Sequence, residues 1–222
     1  MKFRDDHPFI RLLSWMGSLI WVNVLTTLCC LPIVTAGAAL TAAHFACLRI
    51  VRDDDYGLTK VFFQSFKQNF RQATLIWLLL LATGAFLIGD VYFMNMEILQ
   101  VPLIAQILIY LVCGLWACLA ITVFPVLARF ENTIGGTLKN SMALSLMRLP
   151  KTLLGIAASV LPFVLVFLKP TLLPIPLFFG FSAPIWLQAL MYSKLFLHLE
   201  AENGGSEDTL MAEEAAQEEN EF

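Results

Sequence analysis

Charge is what this chain has least of. Asp, Glu, Lys and Arg make up 14% of its 222 residues, against about 25% in an ordinary soluble globule. The shortage is sharper than the average suggests, because nine of the seventeen acidic residues fall between Glu200 and Glu221. The first 199 residues hold all fourteen Lys and Arg against eight acids, so the net charge of −3 comes from the tail. Histidine is also scarce: His7, His44 and His198 are far apart and supply no zinc-ligand spacing. The five cysteines, Cys29, Cys30, Cys47, Cys113 and Cys118, are odd in number, sit in or beside apolar stretches and form no Cys-x-x-Cys unit. That argues against a disulfide scaffold and leaves them as small hydrophobes in helix contacts. Phosphate-loop and dinucleotide signatures are missing, and Gly135-Gly136 is too short for either. No nucleophile–base pair or metal cluster stands out, so neither enzyme activity nor a cofactor or metal is expected. The basic residues lack a recognition-helix pattern, which excludes nucleic acid as a partner.

Apolar residues are abundant instead, at 59% of the chain, with a mean hydropathy of +0.76. A soluble core of this size could not hide so much apolar surface. The expected fold is all-α: a polytopic membrane helical bundle of six spans with two cytoplasmic amphipathic helices. A crossing needs about 20 apolar residues. Residues 73–89 (with their flanks), 102–127 and 149–168 meet that need, and 172–190 forms a further span interrupted by Pro174, Pro176 and Pro184. Residues 12–31 make a retained first helix, since no small-residue cleavage site follows them. Residues 33–48 either cross or re-enter. Crossing places the basic N-terminus, the 49–71 and 128–151 stretches and the tail on one side, as the positive-inside rule requires. Both termini are then cytoplasmic. The chain divides into an integral membrane domain, 1–199, and an acidic flexible cytoplasmic tail, 200–222.

Two inside segments look helical without looking like spans. In 58–71, Leu58, Phe62, Phe66 and Phe70 recur every four residues among Lys60, Gln64, Lys67, Gln68 and Arg71, the pattern of a helix lying at the membrane face. In 137–148, Leu138, Met142 and Leu146, continued by Leu149, alternate with Lys139, Asn140, Ser141 and Ser145, and Gly135-Gly136 reads as the loop entry.

Several polar residues interrupt the apolar runs. Asn23 must hydrogen-bond to another helix or line a polar cavity; Gln106 and Gln188 permit the same argument. Pro32 limits the approach to a new helix, Thr35 could accept from its first amides, and Gly37 permits close helix contact. His44 reads as a satisfied helix-contact residue. The Arg52-Asp53-Asp54-Asp55 run and the Arg129-Phe130-Glu131-Asn132 segment read as solvated loop and charged helix exit, and Asp90 as an interfacial cap.

The arrangement resembles the YesL family of bacterial integral membrane proteins. The resemblance is carried by Asn23 before Leu31-Pro32-Ile33-Val34-Thr35-Ala36-Gly37-Ala38, and by Phe62-Phe63-Gln64-Ser65-Phe66-Lys67-Gln68-Asn69-Phe70-Arg71-Gln72 with Trp77 following. It continues through Phe124-Pro125, Arg129-Phe130 and Leu138-Lys139-Asn140. It implies a multi-pass protein of the bacterial cell membrane, often encoded beside carbohydrate-uptake genes, and it carries no catalytic residue. The expected function is a non-enzymatic accessory, assembly or regulatory protein of carbohydrate uptake, with membrane lipids, a sugar-transporter permease and further copies of itself as candidate partners. The alternative is a small autonomous transporter acting as a homo-oligomer, with Asn23, Thr35, Gln106 and Gln188 as its contacts.

Overall fold

The computed structural model describes residues 8–52, 57–96, 101–130, 132–169, 171 and 174–202. His7, the Asp53–Asp55 run, Glu131 and the acidic tail beyond Glu202 lie outside them. Among the described residues there are eight α-helices, one 3-10 turn and no strand. In chain order they are α1 (Pro8–Cys30), the turn Ile33–Thr35, α2 (Ala36–Val51), α3 (Leu58–Asn95), α4 (Leu103–Leu127), α5 (Ile134–Met147), α6 (Leu149–Leu168), α7 (Pro174–Phe179) and α8 (Ser182–Glu202). Five helical segments are long and apolar enough to cross a membrane: Leu13–Cys30, Ile33–Val51, Leu58–Met94, Leu103–Leu127 and Leu149–Leu168. Their hydroxyls return to the helix itself. Thr26 and Thr27 donate to the carbonyls of Val22 and Asn23 at 2.7 and 2.8 Å, and Thr41 to that of Gly37 at 2.9 Å. Where lipid replaces water, internal satisfaction of this kind lets a polar side chain ride inside an apolar helix. These helices mark a membrane protein.

The five differ in what surrounds them. Of the α2 window 67% is buried, against 11% for α6. Short side chains explain α2: Gly37, Ala38, Ala39, Ala42, Ala43 and Ala46 are all buried, so neighbouring helices come close on several sides. A Cβ on Gly37 would stand 2.5 Å from both the Ala73 carbonyl oxygen and Trp77 Cβ, which makes glycine a requirement of the α2–α3 approach. α2 runs antiparallel to the first half of α3, its start beside Ala73 and Trp77 and its end clustered with Leu58 and Phe62. Antiparallel pairing recurs between α3 and α4, where Trp77 meets Phe124 and the Trp116 ring lies against Gly84. It recurs again between α6 and α8, where Thr152 meets Tyr192 and Ser159 meets Gln188.

Three local expectations are corrected. Residues 58–71 do not form a separate helix along the membrane face; they are the first part of the 38-residue α3. At 1.5 Å per residue that helix is about 57 Å long, against about 30 Å of hydrocarbon, so its polar first part extends the axis of the apolar remainder. Gly135 and Gly136 are not a loop entry. α5 starts at Ile134, and Thr133 caps it by accepting the Gly136 amide at 3.3 Å. The run 172–190 is broken at Gly180 and Phe181, between α7 and α8, and not at a proline. Pro174 opens α7, where a missing N–H costs nothing, and Pro184 falls in the first turn of α8 for the same reason.

Candidate functional site

The helix arrangement leaves a cavity of about 460 Å³ among α2, α3, α4, α6 and the start of α8. α2 contributes Leu40 and His44; α3 a face from Trp77 to Ile88; α4 a face from Trp116 to Phe124; and α6 a face from Ile156 to Phe163. The last wall is the α7–α8 break itself, with Gly180, Phe181 and Pro184, followed by Gln188 one turn on. No Lys, Arg, Asp or Glu is among the lining residues, so the interior is apolar. The two indoles keep it so by spending their N–H groups elsewhere: Trp77 donates to the Ile33 carbonyl at 2.7 Å and Trp116 to Thr83 Oγ1 at 3.0 Å.

Polar chemistry comes from three lining side chains. Gln188, 2% exposed, donates through Nε2 to Ser159 Oγ at 3.3 Å, while its Oε1 has no hydrogen-bond partner. His44, 4% exposed, has no partner for Nδ1. Buried polar atoms are almost always paired, so two unsatisfied ones on the wall of one cavity are a signal in themselves. The sequence reading of His44 as satisfied by a helix contact is therefore corrected at Nδ1. Ser159 was missed altogether, because one hydroxyl in an apolar run gives no pattern.

Of the polar residues singled out in the sequence, only Gln188 lines this cavity. Asn23 is fully buried in α1, and its Oδ1 accepts the backbone amides of Phe181 and Ser182 at 2.9 and 3.2 Å. These amides open α8, so Asn23 caps that helix from another helix and holds the break in place. Thr35 accepts no amide. Its hydroxyl lies 2.7 Å from the Cys29 carbonyl and 2.9 Å from that of Pro32, to which it donates, tying the end of α1 to the turn. Pro32 is exposed. Gln106 donates to the Val101 carbonyl at 3.0 Å, a cap at the start of α4. The four contacts of the transporter alternative thus do not converge.

The remaining residues sit on helix surfaces. Phe66 is half-buried and lies between Phe62 and Phe70, with ring centres at 6.5 and 5.5 Å. Lys67 is exposed, Phe70 is partly exposed, and Asn69 donates to the Ser65 carbonyl at 3.2 Å. Arg129 is half-buried just beyond α4, and Asn140 is exposed on α5. Among the described residues no three of His, Cys, Asp and Glu gather as a metal site.

With this geometry in place, comparison with known proteins adds one match. A family model for proteins of unknown function, DUF624, matches residues 16–91. The matched stretch covers most of α1, the turn, all of α2 and most of α3, and includes Asn23, Gly37, His44 and Trp77. No curated protein and no solved structure matches the chain. The cavity walls on α4, α6 and α8 lie beyond the matched stretch.

Proposed function

We propose that the protein is a non-enzymatic accessory, assembly or regulatory component of a carbohydrate-uptake system in a bacterial cell membrane, with both termini in the cytoplasm. The sugar association and the bacterial setting follow from the resemblance to the YesL family, with which the match to a family of unknown function is consistent. The observation that carries the accessory role is α3. Its first part exposes Lys60, Gln64, Lys67 and Arg71 beside the aromatic rings of Phe63 and Phe70, on the same helix as an apolar span. A basic, aromatic face rigidly continuous with a membrane helix is suited to docking on a membrane partner such as a sugar-transporter permease.

The chemistry of the cavity also favours the accessory role over autonomous transport. A sugar carries many hydroxyls, each of which needs a partner when taken out of water. His44, Ser159 and Gln188 are too few to provide them. Deleting the gene should impair transporter assembly and uptake under sugar-limited growth. Normal assembly and normal uptake in the deletion strain would sink the proposal. The orientation has its own check: in a cysteine-free background, Lys67→Cys should resist an impermeant thiol reagent in intact cells and react once the membrane is opened.

A further inference from the structure

The cavity is well formed for a ligand of its own. Its volume of about 460 Å³ lies within the roughly 300–1,000 Å³ typical of small-molecule sites. Close-packed interiors do not leave voids of this size without a reason. Water is a poor occupant, because a bound water needs two to four polar partners and most of this wall has none to give. A charged headgroup is a poor occupant as well, since no lining residue carries a counter-charge. The wall instead asks for a long apolar body with one neutral polar atom. Gln188 Oε1 is an acceptor without a donor, and His44 Nδ1 is a second polar atom without a partner. A hydroxyl both donates and accepts, so one such group can satisfy both.

We propose that this cavity binds a neutral amphiphile of the long-chain alcohol class, its hydroxyl placed at Gln188 and His44 and its chain filling the space between α3, α4 and α6. Several features are already set for such a guest. Gly155 lets the Gln188 side chain lie against α6, where an added Cβ would meet Gln188 Cγ at 3.4 Å. Ser159 holds the Gln188 amide nitrogen and so turns the unpaired oxygen away from itself. Asn23 fixes the α7–α8 break that forms one wall. The site does not depend on the accessory role, and either reading can fail alone.

The test uses the full chain purified in detergent and a photoreactive hexadecanol carrying a diazirine in its chain. Labelling should saturate and map to the cavity-facing residues of α3, α4 and α6. Unlabelled hexadecanol should compete with it, and hexadecane, with the same chain and no hydroxyl, should compete about tenfold less well, the loss expected for one buried hydrogen bond. Gln188→Met, which keeps the volume and removes the acceptor, should erase that difference, as should His44→Phe in part. Ala117→Phe, which fills the cavity from α4, should abolish saturable labelling. Each variant is read only with an elution profile and thermal transition matching the parent; if His44→Phe fails this check, Gln188→Met and the alcohol–alkane comparison still decide. Equal competition by alcohol and alkane would overturn recognition of the hydroxyl. Labelling that never saturates and spreads over the lipid-facing surface would overturn the site.

Discussion

The first part of α3 and the whole of α5 carry similar amphipathic patterns and pack in opposite ways. In α3 the rule for water-exposed helices holds: Leu58 and Phe62 are buried, Phe66 is half-buried, and Lys60, Gln64, Lys67 and Arg71 face out. In α5 the buried face is Thr137, Ser141, Leu144 and Ser145, while Leu138 and Met142 are only partly covered and Leu146 and Met147 are exposed. Inward hydroxyls bind across to neighbours, since Thr122 Oγ1 donates to the Ser141 carbonyl at 3.1 Å and Thr152 Oγ1 to that of Ser145 at 3.2 Å. Small side chains let α5 lie close to α4, and nothing drives its leucines inward if the medium outside is itself apolar. Hydrophobic periodicity therefore identifies a helix in both cases, but it names the buried face only when the outside is water.

Substitutions at matched positions test this contrast, with resistance to unfolding in mixed detergent micelles as the readout. The largest effect is expected at Phe62, which is fully buried in α3: Phe62→Ala should cost about 3–5 kcal/mol through lost burial and the cavity left behind. Ser141→Leu comes next. It makes the α5 helix more apolar, yet at a fully buried position against α4 it should destabilise by about 1–3 kcal/mol from overpacking. If it instead stabilises, α5 follows the water rule and the contrast disappears. Leu146→Asn, on the exposed side of the same helix, should cost no more than about 0.5 kcal/mol; a cost equal to that of Ser141→Leu would mean lipid or a partner covers that side tightly. Smallest of all, Lys67→Ala should leave stability within about 0.5 kcal/mol while weakening crosslinks from α3 to a co-purified membrane partner.

Much of the helical framework was legible because long apolar runs have few alternatives. The run 149–168 coincides with α6, 102–127 differs from α4 by one residue, and 12–31 overlaps most of α1. Joining residues 58–71 to the following span was not legible, because a change from polar to apolar side chains reads as a boundary while the backbone hydrogen bonds simply continue. Thr133 was the unread signal at α5: a cap residue before two glycines starts a helix despite their low propensity. Within the cavity Gln188 stood out as an amide in an apolar segment, but its partner Ser159 and the unpaired His44 lie on other helices. Their meeting depends on the α2, α6 and α8 arrangement, which no local pattern encodes.

The bond from Asn23 to the amides of Phe181 and Ser182 ties the first helix made to the last one. A chain emerging from the ribosome must insert α1 long before α8 exists, and during that interval the Asn23 oxygen lacks the two donors that hold it in the finished bundle. Completion of the polypeptide is thus itself a folding event for its beginning. A nascent chain stopped short of α8 presents cellular surveillance with an amide still awaiting its place, a mark by which an unfinished copy differs from a finished one.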